Sequence, residues 1–150
     1  MEISFRLSWM KPGNLTRGFK SEGARLQFLE YVKRISKFSC ISADGGLSGK
    51  KPEAGTKAWV CEKGPGSRPL SSEELAGQIE KLQNEGVRRL EIIIGGADGF
   101  SKEELRQLKP DCLWSFGPLT LPHELAAVVA SEQIYRAFTI LKSHPYHSGH

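Results

Sequence analysis

Leu113-Trp-Ser-Phe-Gly-Pro-Leu-Thr-Leu-Pro-His123, running on through Glu124 and Leu125 to Glu132-Gln-Ile-Tyr-Arg136, is the stretch on which the reading of the chain turns. It predicts a short strand, a loop and a long helix. Leu113 to Phe116 is apolar enough for a strand packed on both faces. Gly117 and Pro118 end it, the first too permissive for a strand and the second without a ladder donor. Pro122 has the fixed φ of a first helical turn, which places the cap near Thr120 or Leu121. Leu119, Thr120 and Leu121 are apolar or β-branched, yet they lie in a connection. A loop this apolar is costly in water, so a ligand or another chain should cover it. Its backbone donors and acceptors suit a flat heteroaromatic base such as adenine. The alternative is a loop that plugs the core.

Working outward, the chain alternates strands and helices. Arg89 to Ile94 is the strongest strand, and Gly95-Gly-Ala-Asp-Gly99 follows it. Ser71-Ser-Glu-Glu74 and Ser101-Lys-Glu-Glu104 are capping boxes that open helices. Leu75, Ile79 and Leu82 give the first of these an apolar face, and Gly86 ends it; the second stops before Pro110. Earlier strands are expected at Ile3–Trp9, Phe38–Ser42 and Lys57–Glu62. A helix is expected from Arg17 to Ser36, with Phe19, Leu26, Leu29, Tyr31, Val32 and Ile35 as its stripe. Ala43 to Gly55 and Lys63 to Pro69 read as loops rich in glycine, lysine and proline. On the last helix Ala130, Ile134, Ala137, Phe138 and Leu141 form a core face. Repeated strand–helix units argue for an α/β fold with a mostly parallel sheet flanked by helices. No linker divides the chain, so residues 1–150 are expected to form one domain.

The chain has 150 residues, of which 39% are hydrophobic and 25% charged, the composition of an ordinary globular protein. No apolar run approaches the ~20 residues that span a membrane. The N-terminus has no basic stretch followed by an apolar one, so a cytoplasmic location is expected. Three widely spaced cysteines, Cys40, Cys61 and Cys112, form no CxxC pair and read as buried free thiols. The net charge of +4 permits a polyanionic partner without requiring one. Its basic residues cluster at Lys33, Arg34 and Lys37, at Lys50, Lys51 and Lys57, and at Arg88 and Arg89, where they suit phosphate contacts or plain solvation.

In an open α/β sheet, ligands bind beyond the carboxyl ends of the strands. The ends after Cys61, Ile94 and Phe116 are glycine-rich or irregular. Gly95-Gly96-x-x-Gly99 is neither a dinucleotide fingerprint nor a P-loop, and a plain turn would look the same. Glu132 and Arg136 stand four apart on the last helix and can pair. An arginine beside a ligand loop can hold a phosphate or carboxylate, although a surface ion pair is the simpler reading. Three histidines in the tail suggest a metal, but Pro145 breaks their spacing and no acidic or cysteine ligand is near, so no metal is expected.

Four motifs recur in a familiar order: Ile94-Gly-Gly-Ala-Asp-Gly-Phe100, Ser115-Phe-Gly-Pro-Leu-Thr-Leu-Pro-His123, Glu132-Gln-Ile-Tyr-Arg-Ala137 and Pro145-Tyr-His147. Together they resemble the bacterial large-subunit ribosomal RNA methyltransferase H family, the small single-domain branch of the SPOUT methyltransferases. The resemblance is close from about Ser71 to His147. It implies a C-terminal trefoil knot, an obligate homodimer and S-adenosylmethionine as methyl donor. It also implies a target, N3 of a pseudouridine in the large (23S) ribosomal RNA, within the assembled ribosome. The family's cofactor contacts fall on Cys61, Gly95 and the run Phe116, Gly117, Pro118, Leu119, Thr120 and Leu121. Candidates for the chemistry are His123, Arg136, Tyr146 and His147, with Glu132 fixing Arg136. His147 suits a general base because histidine titrates near neutrality. Arg136 suits a phosphate or a uracil anion.

Three positions depart from the family's pattern. Ala43 to Thr56 is too short and too glycine-rich for a helix the family carries there. Ala127 stands where the family tends to have Arg, and Cys61 where it tends to have Leu. Two rival readings follow: a SPOUT enzyme acting on transfer RNA, and a catalytically silent knotted RNA-binding protein.

Overall fold

The computed structural model of the chain describes residues 1–47 and 53–148. In order, its elements are β1 (Glu2–Leu7), α1 (Leu15–Gly18), α2 (Glu22–Ile35), β2 (Ile41–Gly45), β3 (Thr56–Cys61) and β4 (Arg68–Pro69), then α3 (Ser72–Asn84), β5 (Arg89–Ile94), α4 (Lys102–Leu108), β6 (Cys112–Ser115), α5 (His123–Leu141) and α6 (Pro145–Ser148). The strands form one sheet in the order β2-β1-β5-β3-β6-β4, and every pair is parallel. The expected α/β architecture is therefore what the chain forms. β6, last in sequence, lies between β3 and β4.

Alternation along the strands builds the layers. Ile3, Phe5 and Leu7 of β1 and Leu90, Ile92 and Ile94 of β5 are fully buried in one core. Trp59, Trp114, Phe28 and Ile35 of α2, Leu75 and Ile79 of α3, and Ile134 and Phe138 of α5 complete it. The opposite face carries a smaller cluster, where Ala58, Val60 and Ile93 meet Leu105 and Leu108 of α4. Both capping boxes are present, Ser71 with Glu74 and Ser101 with Glu104.

The expected helix from Arg17 to Ser36 is broken in two. A Cβ on Gly18 would lie 2.3 Å from Met10 Sδ, so the backbone passes close to that side chain. Ser21 caps α2 by accepting from the Ala24 amide. The amides of Lys20 and Ser21 each donate at 2.9 Å to the carboxylate of Glu124, at the start of α5. A side chain about a hundred positions away thus holds the break open. The apolar stripe shifts with it: Phe28 is fully buried, whereas Leu26 is 54% exposed.

Other boundaries also move. β1 stops at Leu7, because the Met10 amide turns back to the Leu7 carbonyl. β2 begins at Ile41, not Phe38. The amides of Phe38 and Ser39 return to the Ile35 carbonyl, and the Phe38 ring stacks on Phe138 with centroids 6.1 Å apart. The loop expected from Ala43 therefore contains the end of β2. Its lysines Lys50 and Lys51 lie outside the described residues. The expected turn Lys63–Pro69 contains β4, and β6 starts one residue early. Pro122 is itself the N-cap of α5, with no side-chain cap bond. Cys40 is exposed, while Cys61 and Cys112 are half-buried. Among the described residues, no helix is long and apolar enough to cross a membrane.

Candidate active site

Three neighbouring strands end level with one another. Cys61 pairs with Ile94 of β5 and with Trp114 of β6. The segments leaving these ends enclose a cleft of about 660 Å³, a size that suits a cofactor. Cys61, Gly95, Phe116, Gly117, Leu119, Thr120 and Leu121, all expected at a ligand site, line it. Pro118 is not on the wall. Its carbonyl accepts from Lys63 Nζ at 3.3 Å, and the same Nζ donates to Thr120 Oγ1 at 2.7 Å. Lys63 thus ties the segment after β3 to the loop after β6.

Backbone makes much of this wall. A Cβ on Gly95 would lie 2.8 Å from the Phe100 ring. Gly117 has φ +96°, a conformation L-residues resist, and its amide donates to Ser115 Oγ at 3.1 Å. Burial, helped by nearby Cys112 and Glu62, pushes the Cys61 thiol up, so it stays protonated and serves as apolar wall. Such a wall fits a flat apolar ring flanked by polar groups, as in S-adenosylmethionine. His123 also lines the cleft, edge-on to Trp9 with ring centroids 4.6 Å apart.

A second constellation lies further along α5. Glu132 Oε1 accepts from Arg136 Nε at 3.0 Å, from Arg136 Nη2 at 2.7 Å and from the Tyr146 hydroxyl at 3.0 Å. Its other oxygen accepts from Gln133 Nε2 at 2.7 Å. The Arg136 guanidinium lies over the Tyr146 ring, 4.9 Å from the centroid. Burial works against the Arg136 charge, but Glu132 outweighs it and holds the pKa above its ordinary value. Burial and hydrogen bonds to Tyr31 and Glu132 push the Tyr146 phenol up, so it stays protonated. Arg136 Nη1 donates to His147 Nδ1 at 3.2 Å, and His147 Nε2 lies 2.8 Å from Glu73 Oε1. Arginine only donates, so Nδ1 must accept and the ring proton sits on Nε2, directed at Glu73.

Four of the five residues expected to carry chemistry, Glu132, Arg136, Tyr146 and His147, therefore meet. His123 stands apart. Glu132 and Arg136 follow it by nine and thirteen positions on one helix, a rise of about 14–20 Å. The sequence reading missed Glu73, which stood only inside the capping box Ser71–Glu74. It also missed Glu62 and Lys63 on the cleft wall, and Trp9 behind His123. Several basic residues are engaged locally: Arg34 with Glu30, Arg89 with Glu2 and Lys57 with Asp111. Arg34 also lies over Tyr31 and Tyr135, at 5.5 and 5.6 Å. Tyr135 in turn meets Tyr146 at 4.8 Å, so α2 brings its basic end to the Arg136 constellation. Among the described residues, no group of three or more His, Cys, Asp or Glu is placed to hold a metal ion.

The chain is similar to known methyltransferases. Residues 50–147 match the family described as "Predicted SPOUT methyltransferase". The ribosomal RNA large subunit methyltransferase H of Xanthomonas oryzae pv. oryzae is 38% identical over 138 residues, covering 80% of this chain and 86% of that protein. The protein of the same name from Koribacter versatilis is 39% identical over 142 residues, covering 87% and 94%. A probable methyltransferase from Bordetella pertussis Tohama I superposes with a TM-score of 0.55 at 11% identity, covering 91% of this chain and 95% of its own, a likeness of fold. The chain belongs to the SPOUT methyltransferase family.

Proposed function

We propose that this chain methylates large-subunit ribosomal RNA from S-adenosylmethionine, at N3 of a pseudouridine in the assembled ribosome, working in the cytoplasm as a homodimer. The relatives from Xanthomonas and Koribacter are named as methyltransferases of large-subunit ribosomal RNA. The whole of residues 1–150 then acts as one domain. Placement of β6 between β3 and β4 is the arrangement a threaded C-terminal segment requires, which supports the trefoil knot.

The observation that carries the dimeric reading is the distance along α5. On α5 the cleft lining reaches Ala126, and none of Glu132, Arg136, Tyr146 and His147 lines the cleft of their own protomer. A partner chain related by a two-fold axis would bring its constellation to this cleft. Residues 116–121, with Cys61 and Gly95, would hold the cofactor. S-adenosylmethionine, when bound, supplies a methyl group activated on a sulfonium. The protein's part is to hold the acceptor base in line, remove the N3 proton and stabilise the charge left behind. Arg136, fixed by Glu132, is the cation for that charge. His147 is the base, and its Nδ1 lone pair must leave Arg136 to take the proton. Tyr146, protonated, donates and orients.

Mixed dimers test this. A cleft-defective Gly95→Val chain is co-expressed with an Arg136→Ala chain. Equal mixing should restore about one quarter of wild-type activity, because half the dimers then hold one intact composite site. No recovery in verified mixed dimers would overturn the shared site.

The chain's departures bear on the RNA target. Ala127 is fully buried and presents no charge, and the segment between β2 and β3 is short. Labelling of transfer RNA rather than ribosomes would move the assignment to the transfer RNA enzymes. Absence of S-adenosylmethionine binding in calorimetry would leave the silent reading.

A further inference from the structure

One wall of the cleft is acidic. Glu62 follows the last residue of β3 and lines the cleft with Asp98. Its carboxylate oxygens lie 3.7 and 3.9 Å from where a Cβ on Gly99 would stand, so the side chain reaches the loop after β5. Among the described residues, neither carboxylate has a hydrogen bond or ion pair. Lys63 also lines the cleft, but its ammonium is held by the Pro118 carbonyl and the Thr120 hydroxyl and, among the described residues, forms no ion pair with either carboxylate. A carboxylate is an acceptor with a full negative charge, and in a half-enclosed cleft that charge is screened less than in bulk water.

We propose that Glu62 makes the cleft select the cationic sulfonium donor over the uncharged thioether product. This rests on the cofactor reading given above. Donor and product share the adenine, the ribose, the ammonium and the carboxylate. They differ in the methyl group and in one positive charge at sulfur. A group that holds a shared part favours both equally; a charge near the sulfur favours only the donor. With the sulfur seated beside Glu62, this carboxylate is a specificity-determining residue, and it speeds turnover by easing release of the spent cofactor.

Calorimetry with S-adenosylmethionine and S-adenosylhomocysteine on the intact dimer tests this without any RNA. Glu62→Gln keeps the shape and removes the charge. It should shift the ratio of the two affinities about fivefold toward the product, with the product's own affinity nearly unchanged. Glu62→Asp keeps the charge and should keep the wild-type ratio. Equal loss of both ligands in Glu62→Gln, or no change in either, overturns the inference and leaves the cofactor reading standing. Failure of the wild-type protein to bind either ligand overturns both.

Discussion

The two ends of α5 are built from different materials. At its start, a loop of apolar and glycine residues makes a cleft mainly from backbone and hydrocarbon. At its far end, Glu132, Arg136, Tyr146 and His147 form a network of charged and polar side chains. The first suits recognition of a fixed molecule, in which shape matters most. The second suits a reaction in which charge appears and a proton moves. Separating them along one rigid helix lets each be tuned alone.

The strongest way to break this comparison is Arg136→Ala. It should lower kcat about a hundredfold or more on ribosomes and leave cofactor affinity within about twofold. Rate assays with parallel calorimetry would check this; a matching loss of cofactor binding would mean that the two ends are not separate. Gly117→Ala probes the other end. Space is open around its Cβ, but φ +96° resists any side chain, so the turn should relax. Cofactor affinity should fall about tenfold, with little change in kcat at saturating cofactor.

Glu124 tests how the cleft end is anchored. Burial alone would raise its pKa, but the Lys20 and Ser21 amides, with His123, hold it below its ordinary value. Its contribution is therefore full above about pH 4.5 and fades as pH falls through the lowered value. Glu124→Gln should cost about 1–3 kcal/mol at neutral pH in denaturant unfolding, and the gap to wild type should close in acid. The smallest effect is expected from Glu73→Gln. It weakens an exposed contact to His147 Nε2, and kcat should fall about threefold or less. A larger loss would give Glu73 a direct share in orienting the base.

Much of this frame is legible in the sequence. β5 and both capping boxes follow from local pattern, because the signals that form them lie within a few residues. The cleft was legible too, since strand ends that carry glycine bring backbone toward a ligand. What escaped was set by distant contacts. The break at Phe19–Ser21 depends on Glu124, and Phe38 is drawn into the core by Phe138. Glu73 meets His147 across 74 positions. The separation of His123 from Arg136 was within reach, because the rise of a helix converts residue spacing directly into distance.

The position of β6 has a consequence for biosynthesis. Among the described residues, β4 pairs only with β6, and β3 has only β5 until β6 arrives. A nascent chain that has not yet reached Cys112 carries an open apolar edge through Trp59 and Val60. Such an edge invites wrong partners. The sheet therefore closes only when the residues from Cys112 onward leave the ribosome, and early release of a truncated product should yield aggregate rather than a smaller fold.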